Sequence, residues 1–197
     1  MDNLSQAKGY KRNFMNNQGE QYSLSIIEAN WKSLMIVLPL AVVTVFAYSL
    51  VWSWGKTGSD FLIIYSHYGG ALFLLIAGTF AHELLHGLTW MKMGDLDWND
   101  IKYGFKLRVL TPYAHCKKPI TAKAYRWGIL IPGFILGFLP FIGSLILGYA
   151  WLLVFGFIFT LAAGGDFLMF WIIRDIPEDS LVEDHPERVG CKVVSQS

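Results

Sequence analysis

The sequence predicts an all-α membrane protein of about four transmembrane helices, with a small cytoplasmic β-hairpin between the second and third. Three observations carry this. Of the 197 residues, 54% are hydrophobic and only 16% charged, where a soluble domain has about a quarter of its residues charged. Long uncharged runs recur, and Trp127 to Ile173, interrupted only by Asp166, far exceeds the ~20 residues that one crossing needs. Lys and Arg gather between the runs, as they do on the inner side of a membrane. A net charge of +1 leaves no basic stripe to neutralise phosphates, so nucleic acid is not expected as a partner and the lipid bilayer is.

Residues 1–32 are polar, with Lys8, Lys11, Arg12 and Lys32, and read as a cytoplasmic arm with a short amphipathic piece near Tyr22 to Trp31. No apolar core follows a basic start, so a cleaved signal peptide is not expected. Residues 33–174 carry the spans, at about 34–52, 61–90, 125–146 and 150–173. Leu34 to Trp52 has no charged residue and crosses about 30 Å of hydrocarbon at about 1.5 Å per residue. Pro39 is expected in its first turns, where a missing N–H does little harm. Trp52 and Trp54 close it at the membrane interface, and Ser53 to Asp60 reads as a tight external loop.

The second span, Phe61 to Trp90, is uncharged until Glu83. Gly69, Gly70 and Gly78 are expected to let neighbouring helices approach closely. His67, near its outer end, has no acidic or cysteine partner nearby and reads as an interfacial histidine. The loop 91–124 carries Lys92, Lys102, Lys106, Arg108, Lys117, Lys118 and Lys123 and is cytoplasmic by the positive-inside rule. Within it, Ile101 to Cys116 is rich in strand formers around Gly104 and Pro112, which predicts the hairpin. Thr121 opens an amphipathic start leading back into the bilayer. The long run then folds as two helices with a bend marked by Pro140, Gly143 and Gly148. The acidic tail 175–197 is cytoplasmic, which makes this a multi-pass protein of the cell membrane with both termini inside. Cys116 and Cys191 are too few for a disulfide framework and are expected as reduced thiols.

The chemistry lies in Thr79-Phe80-Ala81-His82-Glu83-Leu84-Leu85-His86-Gly87. His82 and His86 sit one turn apart on a helix face, so both imidazoles can reach one metal ion. Glu83 lies beside that face, where its carboxylate can take a proton from metal-acidified water. Three ionisable groups within one turn of a membrane helix are costly unless something compensates them, and a divalent cation does so directly. His/carboxylate ligands point to Zn²⁺. A catalytic zinc keeps three protein ligands and an open position. Asp166, the one formal charge in the final apolar run, is the expected third ligand. Counted from the cytoplasmic ends of their spans at about 1.5 Å per residue, His86 is about 8 Å deep, His82 about 14 Å and Asp166 about 12 Å. Gly164 and Gly165 are expected to bring the last helix close to the histidine helix. His115, in the hairpin, is the alternative third ligand. Asp95 and Asp97 lie where the chain leaves the membrane and are poorer candidates, and His185, in a charged tail, carries no role.

On Ala81-His82-Glu83-Leu84-Leu85-His86-Gly87, Ala114-His115-Cys116-Lys117 and Gly164-Gly165-Asp166, the chain resembles the small bacterial membrane zincin peptidases of the DUF3267 type. More remotely it is similar to site-2-type intramembrane metalloproteases, where a His-Glu-x-x-His helix meets an aspartate from a helix two spans later. There the aspartate stands in an Asn-Pro-x-Pro or Leu-Asp-Gly context, whereas here the chain reads Gly165-Asp166-Phe167. The resemblance implies a zinc peptidase with His82, His86 and Asp166 as ligands and Glu83 as the catalytic base. The expected function is a membrane-embedded zinc-dependent endopeptidase hydrolysing peptide bonds near the cytoplasmic face, on a protein or peptide substrate that can itself be transmembrane. The alternative is a non-catalytic metal-binding membrane scaffold or sensor.

Overall fold

The computed structural model describes residues 21–24, 26–106, 111–185 and 189–194. Lys8, Lys11, Arg12 and Arg108 lie outside the described residues. Strand β1 (Gln21–Leu24) leads into α1 (Ile26–Trp52), so the stretch expected to be one amphipathic piece is a strand followed by the first turns of a long helix. Because α1 begins at Ile26, Pro39 stands in its interior rather than near its start. The Met35 carbonyl there loses the N–H it would otherwise receive.

The expected external loop is instead a helix, α2 (Trp54–Ser66). Ser53 adopts a left-handed φ of 73°, its hydroxyl accepts the Lys56 N–H at 3.3 Å, and Lys56 pairs with Asp60 at 2.5 Å. This cap and one-turn ion pair hold a helix that the glycine-bearing sequence argued against. The chain breaks at His67, whose Nδ1 meets the Ser66 hydroxyl and the Ile63 carbonyl, and α3 (Tyr68–Gly94) follows. The second long apolar helix is therefore shifted towards the C-terminus. Of its expected contact glycines only Gly78 is in close contact, against the Phe159 ring, while Gly69 and Gly70 face open space.

A turn of 3₁₀ helix, Trp98–Asp100, is closed by reciprocal bonds between Asp97 and Asp100. Asp100 also meets Lys118 at 2.9 Å, and this contact holds its carboxyl below the usual range. Then comes the expected hairpin, β2 (Ile101–Lys106) and β3 (Thr111–Cys116), antiparallel, with Ile101 opposite Cys116 and Lys102 opposite His115. Strand β4 (Ile120–Thr121) runs into α4 (Ala122–Pro132), where the Thr121 hydroxyl accepts the Ala124 N–H. A π-helical turn, Gly133–Phe138, connects α4 to α5 (Leu139–Leu147). Pro140 stands two residues after it, and the widened turn lets Leu139 reach back to the Phe134 carbonyl. Of the three expected bend residues only Gly148 makes the bend, with φ 69°, and Pro140 and Gly143 stay within α5.

The last apolar stretch is α6 (Ala150–Ala162) and α7 (Gly164–Ile173), which meet at 46° rather than forming one straight helix. The break falls before the Gly164-Gly165 pair, where helix propensity is low. Among the described residues, three helices are long and apolar enough to cross a membrane, or four if the bent pair counts as one.

The expectation of an all-α chain with a single hairpin needs one correction. Strands β5 (Leu181–Asp184) and β6 (Val189–Val193) join β1 and β4 in a four-stranded antiparallel sheet of order β1-β6-β5-β4. Segments expected to be polar arms thus pair with each other. Val182 and Cys191, each fully buried, point from this sheet into a core with Ile120, Tyr125, Ile172 and Ile173. That core packs the sheet, the hairpin, α4 and α7 around the end of α3 that bears the histidines. Elsewhere large side chains face outward, among them Met35, Val42, Leu62, Phe73 and Phe80. Faces this apolar favour lipid over water.

Candidate metal centre and its cavity

Helix α3 places His82 and His86 one turn apart, both buried, with ring centroids 4.8 Å apart. Asp166 stands in the first turn of α7. Its Oδ2 lies 3.1 Å from His82 Nε2 and 3.6 Å from His86 Nε2. The three residues offer ligand atoms within 4.8 Å of one another. They form the one such group of three or more among the described residues.

The donor chemistry fits a cation. The Gly128 carbonyl, 2.9 Å from His86 Nδ1, can only accept, so Nδ1 carries the proton. In the neutral ring Nε2 then turns its lone pair towards a carboxylate oxygen, and two electron-rich atoms face each other across 3.6 Å. A metal ion held by both would turn that opposition into coordination, with the Gly128 carbonyl as the partner that orients the ring. His82 Nδ1 is buried with no partner among the described residues.

Glu83 lies within reach of the Asp166 charge and of β3. Its carboxyl is near both imidazoles and the backbone N–H of Ala114. Beneath the histidines runs a ring stack: His86 on Trp90 at 5.5 Å and Trp90 on Tyr125 at 5.6 Å, the latter pair within 10° of parallel. Gly128 permits it, since a side chain there would run into the Trp90 indole.

The other candidate residues go elsewhere. His115 Nδ1 bonds Asp184 Oδ2 at 2.7 Å and stands outside the three-residue group. Asp95 is the left-handed cap of α3, with φ 51°, and Asp97 caps the 3₁₀ turn. Gly164 does not bring α7 to α3. A side chain there would meet Val37 and Ser33 of α1, and Gly165 has nothing near it. Gly164 alone of the pair seats α7 on α1, and Asp166 reaches the histidines from there.

A cavity of about 390 Å³ opens at this group, lined by His82, Glu83, His86 and Asp166 and also by Ala114, His115 and Asp184. Several lining residues escaped the sequence reading. Asp184 meets both His115 and Tyr125 only through folding, and nothing local announces this. Tyr103, whose buried hydroxyl lacks a partner among the described residues, packs on Gly87. Burial, and next the nearby Glu83 charge, push its phenol up.

Two imidazoles and a carboxylate at this spacing are a donor set that could hold a metal ion, with the Glu83 carboxyl in the same cavity. Comparison with known proteins agrees at the level of family. Neither a curated protein nor a solved structure matches the chain. Residues 75–181, just over half of the chain and including every residue of the three-ligand group, match the model of the family described as "Putative zincin peptidase", DUF3267, and the chain belongs to that family.

Proposed function

We propose that the protein is a membrane-embedded, zinc-dependent endopeptidase that cleaves peptide bonds near the cytoplasmic face of a membrane. His82, His86 and Asp166 would hold the ion, and Glu83 is the base. The single observation that carries this reading is the placement of the Glu83 carboxyl in the cavity beside the ligand group rather than within it. A purely structural site tends to be closed by four protein ligands.

Zinc, when bound, acts as a Lewis acid on the scissile carbonyl and acidifies water from a pKa of about 15.7 towards about 7. Glu83 takes the proton of the attacking water and delivers it to the leaving amine as the C–N bond breaks. Asp166 and the Gly128 carbonyl hold the two histidines in place. The cavity wall formed by β3 is suited to an extended substrate. Lys117 N–H bonds the Asp100 carbonyl at 2.9 Å. From there the antiparallel alternation turns the N–H groups of Ala114 and Cys116 away from β2, on the same edge as Pro112. A substrate strand adding to that edge would pass Glu83. Membrane embedding is supported by the outward apolar faces of α1 and α3, and the cytoplasmic side by the lysines of the 91–124 loop.

Glu83→Gln tests the reading. The variant, purified in detergent, is expected to keep its zinc and to lose cleavage of co-expressed membrane-anchored reporters by at least about 100-fold. Retained cleavage would overturn the mechanism.

A further inference from the structure

The cavity has a second polar cluster that the three-ligand group and Glu83 do not use. Asp184, at the end of β5, is engaged on both oxygens: Oδ2 by His115 Nδ1 at 2.7 Å and Oδ1 by the Tyr125 hydroxyl at 2.8 Å. A carboxylate only accepts, so the His115 proton on this side sits on Nδ1 and the phenol donates as well. The two bonds lock the ring of His115 in one orientation. Its Nε2 has no protein partner among the described residues, and His115, like Glu83, lines the cavity. The residue before it, Ala114, has its backbone N–H near the Glu83 carboxyl, so strand β3 brings His115 to the cavity that Glu83 also lines. Tyr125 is itself fixed by its stack on Trp90 and, through Trp90, on His86. The orientation of the His115 ring is thus tied to the ligand helix by a continuous series of contacts.

A histidine whose ring is held by a carboxylate in the wall of a reaction cavity is suited to meet charge that develops there. As water adds to the scissile carbon, the C=O π pair moves onto oxygen and that oxygen becomes anionic. We propose that His115 is a catalytic residue, resting on the peptidase reading above, whose Nε2–H donates a hydrogen bond to this oxygen, and that Asp184 is its positioning residue. With both ring nitrogens protonated, His115 keeps its bond to Asp184 and presents Nε2–H to the cavity. No bond to His115 forms or breaks. The oxyanion's electron pair returns to the carbonyl when the C–N bond cleaves, and the amine takes its proton from Glu83. This assigns His115 to transition-state binding rather than to the metal.

The test uses the full chain in detergent, an internally quenched peptide library, a phosphinic peptide that mimics the tetrahedral oxyanion, and a hydroxamate that binds through the metal alone. His115→Asn and His115→Gln are each expected to keep the zinc content and hydroxamate affinity of wild type. Both should lose about 100- to 1,000-fold in kcat with KM within about threefold, and lose phosphinic-peptide affinity by a similar factor. Asp184→Asn, which no longer accepts on both oxygens, is expected to lower kcat at least about tenfold at unchanged zinc and KM. Unchanged kcat in both His115 variants would overturn the proposal, and so would loss of zinc in them, which would make His115 a ligand. Zinc-loaded wild type that cleaves no peptide would overturn the peptidase reading itself, a result distinct from either.

Discussion

His86 and Gly128 are joined by a 2.9 Å hydrogen bond from the imidazole Nδ1 to the backbone carbonyl, and this one contact ties the chemistry of α3 to the packing of α4. It selects the tautomer that leaves Nε2 able to bind a cation, and it exists only because residue 128 has no side chain to displace the Trp90 indole. Glycine here serves a ring stack and a ligand at once.

Gly128→Ala is therefore expected to be costly out of proportion to its single methyl. Overpacking against Trp90 should cost about 1–3 kcal/mol, a lowering of Tm by about 2–12 °C for a chain of this size. Zinc content should fall with it, because the His86 ring is displaced. Thermal unfolding in detergent beside metal analysis checks both, and an unchanged Tm would show that the stack is not as tight as described.

The two glycines before Asp166 should respond in opposite ways. At Gly164 a side chain meets Val37 of α1, whereas at Gly165 it meets nothing. Gly164→Leu should lift α7 from α1 and move Asp166 away from the histidines, lowering zinc occupancy, while Gly165→Ala leaves it unchanged. Equal effects of the two changes would contradict the seating of α7 on α1.

The thiols give a pH signature. Burial pushes Cys116 up to about 11 and Cys191 up to about 12, well above the usual thiol range of about 8.5. In both, the protonated form is favoured by the fold. Their contribution to stability is complete below the unfolded thiol pKa and is lost as pH rises through the folded values. Native protein at pH 8 should resist iodoacetamide at both positions while denatured protein reacts. The native rate should climb only above about pH 10. Rapid native alkylation at pH 8 would place at least one thiol outside the core.

How much of this could be read from the chain follows from the range of each signal. His82, Glu83 and His86 are legible because a helical turn brings residues four apart together, and Asp166 because it is a lone charge in an apolar run. The hairpin showed in its composition of strand formers. The four-stranded sheet did not, since its strands are two to five residues long and β1 pairs with β6 across nearly the whole chain. Asp184 looked like one more acid in a solvated tail, and its bond to His115 spans 69 positions. Helix α2 was missed because Gly55 and Gly58 imply a loop, while the Ser53 cap and the Lys56–Asp60 pair that oppose them become evident only once the helix is formed.

The central claim is that two imidazoles of α3 and a carboxylate of α7 share one cation. Metal content of the purified protein tests it most directly, for wild type beside His82→Ala, Asp166→Ala and His115→Ala. The account predicts about one zinc per chain in wild type and in His115→Ala, and a loss of most of it in the other two. Full zinc in Asp166→Ala together with its loss in His115→Ala would contradict the account.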